Sequence, residues 1–239
     1  MVEGVKVLSE ALAAGAPVEA VFAAPGAPAE LLDRAAAAGA RVHSLAPGVL
    51  ERVADAVTPQ PVIATLPFLD VGLPALQGAD LVVVCVDVRD PGNAGTVLRS
   101  AEAAGAGGVV LCDGCVDVYN PKTVRASAGS LFHVPVVAGG DPVAVLRTLG
   151  DWGVRRLAAV AEGGDDYAES DLRRPCALVL GNEASGLPAA VLAAGVLDGA
   201  LTIPMAGRSE SLNVGMAAAV LCFEAARQRR SHHAPAGAR

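Results

Sequence analysis

Aromatic residues and lysine are both scarce in this chain: rings make up 3% of 239 residues, and Lys6 and Lys122 are the two lysines among 18 basic residues. With 53% hydrophobic residues and so few rings, the core must be built from Ala, Val and Leu. Nearly all the positive charge is arginine, the better residue for planar, bidentate contacts to phosphate. No run of eighteen uncharged apolar residues occurs, and the opening MVEGVKVLSEAL is amphipathic rather than signal-like. These two absences describe a soluble, cytoplasmic protein that takes no membrane partner. The formal charge of −7 argues against a protein that coats nucleic acid through bulk electrostatics, though local basic patches remain open to it. A tight Gly-x-Gly-x-x-Gly turn is also missing, which argues against a nicotinamide-dependent enzyme. Of the five cysteines, Cys112 and Cys115 have the spacing of a zinc or thiol pair. No second pair completes it, so the reading is structural and no metal is expected.

What is present is a stretch that changes character twice, Leu81–Arg99, LVVVCVDVRDPGNAGTVLR. Its apolar, β-branched opening suits a strand covered on both faces, as in a parallel sheet. The polar turn around Pro91 and Gly92 follows, and then Thr96, Val97, Leu98, Ala101 and Ala104 resume at helical spacing. The loop thus joins a strand's carboxyl end to a helix's amino end, where ligands sit in open α/β sheets.

Before it, the pattern predicts a helix over Glu3–Gly15, a strand over Val18–Ala23, a helix over Pro28–Gly39, a strand over Arg41–Leu45 and a helix over Val49–Ala56. This is a small α/β unit, assigned to residues 1–65. A proline-rich linker over 66–78 follows. The second unit, 79–230, carries further strands at Gly108–Leu111, Val134–Val137, Leu157–Ala161, Ala177–Leu180 and Leu201–Ile203. Helices are expected at Asn120–Ser130, Pro142–Leu149 and Leu212–Arg227, with a disordered tail over 231–239.

Three polar, glycine-bearing stretches follow apolar strands: Asp90–Arg99, Gly181–Pro188 and Ile203–Gly215. Each alone has a plain structural reading. Gly95 or Gly186 can be a turn or close-packing residue, Glu183 beside Asn182 a helix cap, and Ser211-Leu212-Asn213 an N-cap. Arg99 can be a solvated arginine. In a parallel sheet, however, all three stretches lie on the carboxyl edge and form one composite pocket.

Asn93-x-Gly95-x-x-x-Arg99, Gly181-Asn182-Glu183-x-x-Gly186-Leu187 and Ile203-Pro204-Met205-x-Gly207 with Ser211-Leu212-Asn213-Val214 closely resemble, in order and spacing, the motifs of the SpoU/TrmH branch of the SPOUT RNA methyltransferases. Asn120–Val136 is similar to that family's first-half hallmark. The resemblance implies an α/β fold whose mainly parallel sheet ends in a deep trefoil knot, a feature periodicity does not reveal. The first unit is similar to the ribosomal-protein-like substrate-binding domain that often precedes it. Two subunits are expected to pair through the knot region.

The resemblance further implies S-adenosylmethionine as cofactor and RNA, in the first place ribosomal RNA, as substrate, with tRNA as the alternative. Leu180, Gly181, Asn182, Ile203, Met205, Ser211 and Leu212 would bind the cofactor, largely through backbone groups and apolar walls. Asn93, Arg99, Glu183, Ser211 and Asn213 would form the catalytic set, and Arg99, Lys122 and Arg125 would meet the RNA. The family gives its arginine the role of base; a guanidinium stays protonated, so Arg99 reads instead as a phosphate orienter and alkoxide stabiliser facing the partner's cofactor. Two departures touch the substrate: the chain starts at Met1-Val2-Glu3-Gly4 without a basic extension, and Gly215 stands where a small hydroxyl residue is common. A non-catalytic knotted dimer that binds S-adenosylmethionine or RNA is the competing class.

Overall fold

The computed structural model describes residues 1–53 and 60–233. The chain opens with β1 (Val2–Glu3), α1 (Val5–Ala13), β2 (Ala20–Ala23), α2 (Ala29–Ala37), β3 (Arg41–Ser44) and β4 (Val62–Thr65). These strands form a four-stranded sheet in the order β1-β4-β2-β3, with β2 parallel to β3 and β4 antiparallel to both β1 and β2. Two of them escaped the sequence pattern. β1 is only two residues long, and β4 follows Pro61 in a proline-rich stretch; a proline just ahead of a strand costs the ladder no donor. The helix expected over Val49–Ala56 is a single 3-10 turn, Leu50–Arg52, and residues 54–56 lie outside the described ones. α1 buries Val7, Leu8 and Ala11 on one stripe, and the same layer of buried side chains continues into the second unit.

The second unit runs β5 (Leu81–Cys85), α3 (Pro91–Ala103), β6 (Gly108–Leu111), α4 (Pro121–Ala126), β7 (Val136–Ala138), α5 (Pro142–Asp151), β8 (Arg155–Val160), β9 (Asp165–Asp166), β10 (Cys176–Leu180), α6 (Ala189–Ala193), β11 (Gly199–Thr202) and α7 (Val214–His233). Its seven strands lie in the order β7-β6-β5-β10-β8-β11-β9, and every pairing is parallel. The two central strands explain their own sequences. All five residues of β5 and of β10 are buried. Leu81, Val83, Cys85, Leu178 and Leu180 face Val97, Leu98, Ala218 and Leu221 of α3 and α7, whereas Val82, Val84, Ala177 and Val179 face Val145, Leu146 and Val191 of α5 and α6. A strand packed on both faces has no reason to alternate, and theirs do not.

The structure moves several boundaries. α4 stops at Ala126 because Ala128 and Gly129 both take positive φ, turning the chain into a 3-10 turn over Ser130–Phe132. The final helix begins at Val214 rather than Leu212 and reaches His233, so residues 231–233, expected to be disordered, are helical; 234–239 lie outside the described residues. α6 and the short edge strand β9 were not expected at all.

Strand order positions the site. From β5 the chain winds outward through β6 and β7, then crosses to the far side for β8, leaving a gap that β10 later fills. The carboxyl ends of β5 and β10 therefore flank the point where the winding reverses, the place in such sheets where a crevice opens.

Candidate active site

Each loop at that crevice is held by a different device. Asp90 caps α3, its Oδ1 accepting from the Asn93 amide at 2.8 Å, with Pro91 at the first helical position where no donor is lost. That bond, with Lys122 Nζ at 3.6 Å, holds the Asp90 carboxyl below the usual range. Gly95 sits in the second turn of α3, where a Cβ would come within 2.8 Å of the Ala126 carbonyl carbon and the Ser127 nitrogen, so glycine lets α3 and α4 pack backbone to backbone.

After β10, Gly181 turns the chain so tightly that a Cβ there would lie 2.6 Å from the Gly186 oxygen. Asn182 and Gly186 close this turn with two amide-to-carbonyl bonds of 2.9 Å. The Asn182 side chain stitches it down: Oδ1 accepts from the Ala184 and Ser185 amides, and Nδ2 donates to the Asp87 carbonyl at 2.9 Å. Asp87 accepts that bond from a left-handed conformation, φ 58°, that most side chains avoid.

Three side chains then cross-link the three loops. Asn213 Nδ2 donates to Asn93 Oδ1 at 2.9 Å, and Asn93 Nδ2 donates to Glu183 Oε1 at 2.8 Å. Asn213 also caps α7, its Oδ1 accepting from the Gly215 amide at 2.9 Å. Gly215 has a local reason: a Cβ would stand 2.8 Å from Thr96 Cγ2.

Between the loops lies a cavity of about 420 Å³, within the range of small-molecule sites. Leu180, Gly181, Asn182, Glu183, Ile203, Met205, Ser211 and Leu212 all line it. Its apolar residues Leu180, Ile203 and Met205, set beside the polar Glu183, Glu210 and Ser211, suit a flat heteroaromatic ring with a polar tail. Ala159–Ala161 at the end of β8, with Leu187 and Leu192, also line it and were missed. The signal was available, since the β8 end reads Ala161-Glu162-Gly163-Gly164, another glycine-bearing turn on the same edge.

The structure does not bring the basic residues into the cavity. Arg99 is exposed on α3, six residues beyond Asn93 and so about 9 Å further along the axis, and among the described residues it has no hydrogen-bond or ion-pair partner. Lys122 bridges to Asp90, and Arg125 is exposed one turn further along α4. Asn182 lines the cavity, but its side chain is consumed by the turn. Ser211 is exposed at the rim, and the cap of α7 is Asn213.

Cys112 and Cys115 do not form a reactive pair. Both are free, burial pushes the Cys112 thiol up to about 12 and raises that of Cys115, and Cys115 Sγ donates to the Cys85 carbonyl at 3.3 Å. Among the described residues no cluster of His, Cys, Asp or Glu is placed to hold a metal, and no helix is long and apolar enough to cross a membrane.

Comparison with known proteins places this geometry. Residues 80–223 match the SpoU rRNA Methylase family, and residues 1–64 match the MRM3-like substrate binding domain. The chain is 37% identical over 185 residues to a 23S rRNA guanosine 2′-O-methyltransferase, RlmP, of Bacillus subtilis, covering 77% of this chain and 72% of that one. It is 41% identical over 155 residues to the 23S rRNA guanosine 2′-O-methyltransferase RlmB of Xanthomonas campestris, covering 65% of this chain and 61% of that one. Among solved structures it is similar to the SpoU methyltransferase AviRb of Streptomyces viridochromogenes in complex with AdoMet, with a TM-score of 0.81 at 30% identity over 96% of this chain and 90% of that one.

Proposed function

Because the chain belongs to the SpoU rRNA methylase family, we propose that it transfers a methyl group from S-adenosylmethionine to a ribose 2′-hydroxyl of ribosomal RNA, in the cytoplasm. The observation that carries this reading is the cavity at Gly181, Ile203 and Leu212, whose lining includes Glu183, the end of the Asn213–Asn93–Glu183 relay. A methyltransferase of this kind needs its donor seated beside the place where the acceptor hydroxyl arrives, and here the polar relay borders the apolar seat.

Leu180, Ile203, Met205 and Leu212 supply walls for the adenosine, and the Gly181 turn presents backbone groups. The sulfonium donor brings a methyl group that is already activated, so the protein's task is placement and the handling of one proton. Glu183, anchored by Asn93, and Asn213 fix the loops on either side of the reacting centre. Arg99, with its guanidinium free, orients the phosphate next to the target ribose and stabilises the developing alkoxide charge. Lys122 and Arg125 extend that positive face along α4 toward the RNA backbone, and the 2′-hydroxyl is what distinguishes this substrate from DNA.

Arg99 lies outside its own chain's cavity, which favours a homodimer in which it serves the partner's site. Met216 and Phe223 on α7 are 56% and 46% exposed, one apolar patch of a helix whose other side is buried, and Leu212 extends it to the cavity rim. We place the dimer interface there, with the segment from β11 into α7 passing through the knot that gives the family its cofactor loops. The first unit, residues 1–65, takes the role of RNA-binding domain, joined by residues 66–78 to the methyltransferase domain, 79–230.

Arg99→Ala should abolish methyl transfer while S-adenosylmethionine binds within about twofold of the wild type by titration calorimetry; equal loss of both would refute the assignment.

A further inference from the structure

We propose that Phe68 is a stacking platform for a base flanking the methylated nucleotide; this rests on the reading above of the chain as an RNA 2′-O-methyltransferase. In a chain with four phenylalanines, Phe68 is 77% exposed, and it is held rather than loose. Its ring packs at 4.7 Å and 44° against Tyr119. The Tyr119 hydroxyl accepts from the amides of Leu69 and Asp70, at 2.6 and 2.7 Å, and donates to Asp70 Oδ1 at 2.6 Å. Burial, then the bond to Asp70, push the Tyr119 hydroxyl up to about 12, so it stays protonated and the clamp stays closed at neutral pH. Phe68 is thus braced by the tilted Tyr119 ring while most of its surface is offered to solvent, the arrangement of a side chain available to stack on a base.

The placement links this ring to the site. Segment 68–72 runs beside β7, with the Val71 amide donating to the Val136 carbonyl at 2.8 Å, and further on Leu76 packs against Gly108 at the start of β6. Phe68 itself lies toward the carboxyl edge, the edge that carries Asn93, because its partner Tyr119 sits in the loop that leaves the carboxyl end of β6 at Leu111 and leads into α4. β7 and β5 are two strand spacings apart, about 10 Å, the length of roughly three stacked nucleotides at 3.4 Å each. A continuous surface joins them, since Tyr119 directly precedes the cap of α4 and Lys122 on that helix bridges to Asp90, the cap of α3. Two residues along the segment from Phe68, a groove of about 520 Å³ is lined by Asp70, Gly139, Gly140 and Asp141. Asp70 and Asp141 line this groove and Asp117 accepts from the Tyr119 amide, so the phosphates pass on the Lys122 and Arg125 side and it is the base that meets the ring.

The test is steady-state methyl transfer from labelled S-adenosylmethionine to deproteinised bacterial large-subunit rRNA, with Phe68→Ala, Phe68→Leu, Phe68→Tyr and the wild type compared. Loss of stacking should raise the KM for RNA about tenfold in the Ala variant, with kcat and S-adenosylmethionine affinity within about twofold of wild type. Tyr should restore the KM, and Leu, which keeps apolar area but no ring, should not. A KM unchanged in Phe68→Ala, full rescue by Leu, or a shift to monomer in sedimentation that tracks the KM change would overturn the proposal, the last by showing that a second copy covers the ring. If the wild type transfers no methyl group to rRNA, the functional reading itself falls; if it does and Phe68→Ala equals it, only this inference falls.

Discussion

Gly181 carries more constraint than any other single position at the site. Its missing side chain is filled by the Gly186 carbonyl and the Leu187 nitrogen, each 2.6 Å from where a Cβ would stand. Gly181→Ala should therefore open the turn and weaken S-adenosylmethionine binding by tenfold or more in calorimetry, at a stability cost of about 1–3 kcal/mol typical of overpacking. An affinity equal to wild type would detach the turn from the cofactor. Asn182 makes the opposite point, because its residue type resembled a ligand contact but its side chain is spent holding Asp87 and the turn. Residue type alone does not separate a group that touches a ligand from one that shapes the backbone beside it.

At the scale of elements, the tether between β8 and the approach to β11 gives a pH-dependent prediction. Asp198 accepts from the Arg156 amide and, through both oxygens, from its guanidinium at 2.6 Å, and the guanidinium bond holds the carboxyl below its ordinary value. A carboxylate with a folded-state pKa below its unfolded value, near 3.9, stabilises the fold above about pH 4 and loses that contribution as pH falls through the folded value. Asp198→Asn should lower stability by about 1–2 kcal/mol at pH 7 and narrow its gap to the wild type under acid, measured by urea unfolding at pH 7 and pH 3. A gap that widens toward acid would reverse the sign and contradict the assignment.

The elements also show what the chain's pattern reveals and what it hides. β6 is legible to the residue and β5 and β10 nearly so, because strands buried on both faces read as unbroken apolar runs. β1, β4 and α6 were hidden: two residues of strand carry no period, proline outweighs Val62–Thr65 locally, and α6, at five residues, is barely longer than a 3-10 turn. Sheet order is another matter, since nothing in β10 itself says that it lies between β5 and β8. The loop residues lining the cavity could be named from their motifs, but the relay from Asn213 through Asn93 to Glu183 is a fact of three dimensions. Gly95 belongs with these, because its sequence context suggests a turn and its actual neighbour is the backbone of α4, distant in sequence.

For the whole molecule, the exposed Arg99 and the apolar patch of α7 make one connected prediction. Phe223→Asp should convert a dimer to monomers in analytical ultracentrifugation and remove methyl transfer with it; an active monomer would contradict the shared site. In a dimer where Arg99 serves the partner, mixing Arg99→Ala with Gly181→Val subunits, each inactive alone, should recover about a quarter of wild-type activity, because half of the dimers then hold one complete site of two. No recovery would place Arg99 in its own subunit's site. The central claim, that the crevice between β5 and β10 delivers a methyl group to a ribose of ribosomal RNA, is tested most directly by mass-spectrometric mapping of rRNA after incubation with S-adenosylmethionine. A 2′-O-methylated nucleotide made by the wild type and not by Arg99→Ala is the predicted result; a methyl group on a base, or none on rRNA while tRNA is modified, would contradict it.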